Sequence, residues 1–167
     1  MTFDALAQIL RQLNFREAVW LFPPVFALHV LEEAPQFTVW VNRYASKGFT
    51  QADFIRNNAL GMVSAVLLCA LVSLFPNRLT VFLFFALVVT QAVFNTLFHV
   101  GTTAAYGAYS PGVITSLVLY PPLFYYLSRL PYHEGLLTNL TGALALFIGG
   151  ALHARVVVGQ VYSARWI

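Results

Sequence analysis

Three of the four histidines, His29, His99 and His153, fall inside long apolar stretches, where ionisable groups are costly and mark function. His29 begins the run His29-Val30-Leu31-Glu32-Glu33, and its i, i+3, i+4 spacing places all three polar groups on one side of a helix. Asn95 and His99 repeat the i, i+4 spacing. Imidazole nitrogen with carboxylate oxygen suits a divalent metal, Zn²⁺ first and Fe or Mn next. The expected ligands are His29, His99, His153 and Glu33. A metal with an open position activates a bound water, and Glu32 and Glu33 are the candidate catalytic acid and base beside it. Asn95, Arg155, Tyr109 and Thr115 are expected around these groups, to orient a ligand or bind a polar part of a substrate. The same residues also support a metal-free network, each histidine hydrogen-bonded to a glutamate or carbonyl of a neighbouring helix.

Glu32 and Glu33 occupy a final helical turn, where the helix dipole disfavours carboxylates by roughly 0.3–1 kcal/mol each. Adjacent like charges in low dielectric repel as well. Compensation is expected from a metal ion, from Arg155 or from a proton.

The elements holding these groups follow from composition. Of 167 residues, 59% are apolar, 16% aromatic and only 9% charged, so the charges cannot cover a water-soluble globule and a soluble enzyme is excluded. An all-α, polytopic membrane bundle is expected, one domain over 1–167. About five transmembrane helices are expected over 18–34, 58–75, 79–100, 112–130 and 139–161, with an interfacial helix over 1–16 and an interfacial loop and helix over 35–57. Ala34-Pro35 ends the first span, and Pro121-Pro122 interrupts the fourth. Thr50-Gln-Ala-Asp53 has the form of a capping box. Gly142, Gly149 and Gly150 let another helix come close to the fifth span. Spans one, three and five run in the same direction, and their histidines share one half of the bilayer.

No signal peptide is read at the N-terminus. The single cysteine, Cys69, excludes an internal disulfide and reads as a buried small hydrophobe. The net charge of +3 rests on scattered cations, so nucleic-acid binding is not implied. Four cations fall on each membrane face, leaving orientation open. Phosphate-cradling glycine loops, a nucleophile elbow and a serine triad have no counterpart in the sequence. Too few intramembrane carboxylates are present for a di-iron carboxylate site.

The run His29-x-x-Glu32-Glu33 resembles the motif of the HXXEE family of small integral membrane proteins, and Asn95-Thr-Leu-Phe-His99 and Tyr109-Ser-Pro-Gly112 are similar to that family as well. The resemblance covers most of the chain. It implies a membrane protein with His29, Glu32 and Glu33 at its site, and implies nothing about substrate.

The function expected is that of a membrane-embedded, metal-dependent hydrolase acting on a lipid-like or amphipathic molecule. The partners are the bilayer and that small molecule, and the location is the cell (inner) membrane. Two other readings stand beside it: a metal-free acid/base isomerase or cyclase on an isoprenoid-like substrate, and a non-enzymatic transport or assembly protein.

Overall fold

The computed structural model describes residues 8, 12–45 and 47–162, which are helical throughout with short connections and no strand. The surface helix expected over 1–16 lies largely outside the described residues. Helix α1 (Phe15–Ala18) passes through a 3₁₀ turn (Val19–Leu21) into α2 (Phe22–Glu33). Then come α3 (Phe37–Tyr44), α4 (Gln51–Leu74), α5 (Arg78–Tyr106), α6 (Val113–Val118), α7 (Tyr120–His133) and α8 (Asn139–Val156). A π segment (Val89–Phe94) interrupts α5, and a second (Val157–Tyr162) continues α8.

Local chemistry fixes the helix starts. Asn14 with Glu17, Thr50 with Asp53, Asn77 with Thr80 and Thr138 with Thr141 form reciprocal caps that satisfy otherwise orphaned N–H groups. The Thr50–Asp53 box starts α4 at Gln51, well before the boundary of 58 expected from hydropathy.

Three helices among the described residues are long and apolar enough to cross a membrane: Gln51–Leu74, Arg78–Tyr106 and Asn139–Gly159, of 24, 29 and 21 residues. Only 17% of the apolar window of the first and third is buried, and Leu67, Leu74 and Phe147 point outward, so these helices carry an apolar outer surface that water would not solvate well. The first and fourth expected spans are each built from shorter pieces. At 12 residues, α2 is roughly 18 Å long, short of the ~30 Å hydrocarbon layer. Pro23 and Pro24 occupy its first turn, where their missing N–H groups cost nothing, and the chain before them tightens into the 3₁₀ turn. The segment expected as the fourth span breaks at Leu119, because Pro121 and Pro122 cannot donate to the carbonyls of the preceding turn.

Helix α5 is the centre of the packing, with α4, α7 and α8 against it. Phe15, Phe22 and Phe84 form the buried aromatic heart of the core, the first and second each edge-on to Phe84 at 6.0 Å. Glycine permits the approach of α8 to α5. A Cβ at Gly149 would lie 2.9 Å from the Ala86 carbonyl oxygen, and one at Gly150 would meet the Phe94 ring at 2.7 Å. Cys69 is buried, its thiol donating to the Val19 carbonyl at 3.2 Å.

Candidate functional site

Helix α2 delivers His29 and Glu33 on one face, and α5 delivers Asn95 and His99 one turn apart, directly after the π segment. The two faces meet in the interior. His29, Glu33 and His99 are buried, and each offers a ligand atom within 4.8 Å of the other two. Glu33 Oε1 lies 3.5 Å from His29 Nε2 and 3.2 Å from His99 Nε2. The two imidazoles stand edge to face, 5.1 Å between ring centres.

The far nitrogen of each ring is held. His29 Nδ1 is 2.9 Å from Thr115 Oγ1, and the Thr115 hydroxyl itself donates to Glu32 Oε2 at 2.5 Å. With that hydroxyl proton committed, His29 Nδ1 is the donor to Thr115, which leaves the Nε2 lone pair of that tautomer beside Asn95 Nδ2 and Glu33 Oε1. His99 Nδ1 meets Ser110 Oγ at 3.0 Å, and Ser110 Oγ in turn lies 3.3 Å from Thr102 Oγ1, so a hydroxyl chain backs the second ring as well. His99 Nε2 is fully buried and makes no hydrogen bond: Glu33 is close enough for an ion pair but lies off the ring N–H axis. Asn95 Nδ2 approaches His29 Nε2 at 2.8 Å.

Glu32 leaves the group, contrary to the paired role expected for it. Its carboxylate reaches the start of α6, accepting from the Ile114 N–H at 3.0 Å, the Thr115 N–H at 2.7 Å and both the Thr115 and Tyr109 hydroxyls at 2.5 Å. These four donors, and not Arg155, compensate its charge at the unfavourable end of α2. Burial, and next to it the Glu32 carboxylate, pushes the Tyr109 phenol up to about 12, so Tyr109 stays a donor to Glu32.

Gly112 closes the site on one side. Its φ is +101°, and a Cβ there would sit 2.7 Å from His29 Cε1 and 2.8 Å from His99 Cε1. Only glycine permits both the turn into α6 and the contact of the two rings. Tyr120 packs its ring 5.0 Å from that of His29 with its hydroxyl buried and unpartnered. Tyr120 was not legible as a site residue, being one aromatic among many in an apolar stretch. Gly112 could be sought only through its place in the Tyr109-Ser-Pro-Gly112 segment.

His153 does not join the ligand group. It lies against Phe94 and Phe98 and lines the neighbouring cavity together with His29 and Glu33. Arg155 is exposed and forms no ion pair with either glutamate among the described residues. Asn95 and Thr115 contact His29, and Tyr109 contacts Glu32.

A family model, described as protein of unknown function with HXXEE motif, matches residues 20–127. The chain belongs to the HXXEE family. The HXXEE match spans every residue of the converged group, with Thr115, Gly112 and Tyr120, and ends before His153 and Arg155. No match was found among curated proteins or among solved structures.

Proposed function

We propose that this HXXEE protein is a membrane-embedded metalloprotein in which His29 Nε2, His99 Nε2 and Glu33 hold one divalent cation, Zn²⁺ foremost, for hydrolytic work on a lipid-like or amphipathic molecule. A single observation carries the reading. With the Nδ1 proton of His29 fixed by Thr115, two imidazole nitrogens and a carboxylate oxygen face each other in a buried space, and one of those nitrogens is orphaned. Ring lone pairs facing the Glu33 carboxylate repel unless a cation or a shared proton lies among them. Two imidazoles and one carboxylate make a three-ligand set of the kind that leaves a position open for water. Such an ion lowers the pKa of its bound water toward neutrality. Glu32, through Thr115, orients the His29 ring, as acids behind ligating histidines do.

In the same reading, α1 with α2, and α6 with α7, form the two remaining crossings of a five-span bundle. In each case consecutive helical segments, of 4, 3 and 12 residues and of 6 and 14 residues, run on from one another with at most one residue between them.

One contact favours a second reading. Asn95 Nδ2 stands on the lone pair of His29 Nε2, where a metal would bind, and a proton shared among His29, Glu33 and His99 would also relieve the repulsion. Glu33 would then be a general acid or base without metal.

Metal analysis of protein purified in mild detergent separates the two. The metal reading expects about one equivalent of a divalent transition metal in the wild type, and less than about a tenth in Glu33→Gln and in His99→Ala. Wild-type protein as empty as the variants overturns it in favour of the proton-sharing site.

A further inference from the structure

The cavity beside the centre has features that metal binding does not use. It encloses about 350 Å³, near the lower end of the roughly 300–1,000 Å³ usual for small-molecule sites. His29, Glu33 and Asn95 form its inner end. Its outer rim is made by Leu60 of α4 and by Leu152 and Val156 of α8, all exposed on the outer surface of the bundle. Helices α4 and α8 both pack on α5 without packing closely on each other. The gap between them therefore faces sideways, where both helices present their apolar surface. A mouth edged by leucine and valine on such a surface is filled from hydrocarbon and not from water.

Asn57 of α4 and Gln91 of the π segment also line this space, and neither carboxamide has a hydrogen-bond partner among the described residues. Each amide offers two donors and an acceptor, which a bound molecule with a hydrogen-bonding group could engage. Neither lysine nor arginine lines the cavity, so a phosphate head would find no cationic side chain there. This volume holds a head group and part of one chain, the rest of the chain lying in the gap between α4 and α8.

We infer that the cavity takes, from the bilayer, a lipid with one apolar chain and an uncharged hydrogen-bonding head: an ester, an amide or an alcohol. The chain enters between α4 and α8, and the head meets Asn57 and Gln91 in front of Glu33. This rests on the proposed function for what becomes of the head at the centre, while the binding itself stands on the cavity.

The test uses the full chain in phosphatidylcholine nanodiscs and a long-chain monoacylglycerol carrying a photoreactive diazirine in its chain. Labelling is expected on α4 and α8 at the rim, displaced by unlabelled monoacylglycerol and not by an alkyl phosphate of equal chain length. Gln91→Leu and Ser64→Phe, the second narrowing the cavity from α4, are each expected to cut labelling at least about 10-fold, the weight of one lost hydrogen bond or a blocked path. Metal content is measured on the same samples and is expected to stay at the wild-type level. Equal displacement by the alkyl phosphate, or labelling unchanged in both variants, overturns the inference, and the wild-type competition decides even where a variant fails to fold. Cavity-dependent labelling of a metal-free wild type would sink the metal reading and leave this one standing. Metal bound at the centre with labelling only outside the cavity would do the reverse.

Discussion

Glu32 turns away from the ring nitrogens toward two backbone N–H groups and two hydroxyls, whereas Glu33, one residue on, faces His29 and His99 in a closed interior. Neutralising the two therefore has different effects. Glu33→Gln is expected to abolish metal binding. Glu32→Gln is expected to weaken it by about 10–100-fold, because the Thr115 hydroxyl then loses the acceptor that orients His29. Competition with a chromogenic chelator reads both. His153→Ala is expected to leave metal affinity within about twofold of wild type, since its ring lies outside the ligand group. Gly112→Ala combines a left-handed backbone with a Cβ pressed on both imidazoles, and is expected to cost at least about 1 kcal/mol in thermal unfolding while releasing the metal. The His29 and Glu33 pair was legible in the sequence because i, i+4 spacing needs only a helix. The divergence of Glu32 was not, because it depends on where the start of α6 comes to lie.

The long helices were legible as elements because hydropathy and capping agree along them. The start at Gln51 was legible in the Thr50–Asp53 capping box, although the apolar run begins later, whereas the end at Tyr106 was not, since a polar end extends α5 beyond its apolar run. His153 lies outside the converged group, a placement not legible at this scale. Equal depth along parallel helices does not determine which face of α8 meets α5, and the glycines fix that face at Gly149 against Ala86 and Val89. The same contact carries a testable consequence. Thr90 Oγ1 reaches the Gly149 carbonyl at 3.1 Å, tying the π segment to α8 directly ahead of Asn95 and His99. Gly149→Val is expected to push α8 away from α5, destabilise the fold by about 1–3 kcal/mol in detergent melts and lower metal affinity with it.

For the molecule as a whole, the core around Phe15, Phe22 and Phe84 meets the centre at Tyr120 but is built of apolar contacts, so the helices are expected to pack without a metal. Chelation is expected to lower the melting temperature and leave helical circular dichroism unchanged, the loss being that of a ligand bound only by the folded state. Ligation needs the ring nitrogens and the carboxylate deprotonated, so metal occupancy is expected to fall as acid is added. The apolar outer surfaces of α4 and α8 are compatible with a membrane around the buried polar centre.

X-ray absorption at the edge of the bound metal addresses the three-ligand centre most directly. The expected spectrum shows two imidazole shells and an oxygen shell at about 2.0–2.2 Å, with one imidazole lost in His99→Ala. An absence of metal at the edge, or a coordination shell that His29→Ala and His99→Ala leave unchanged, would contradict it.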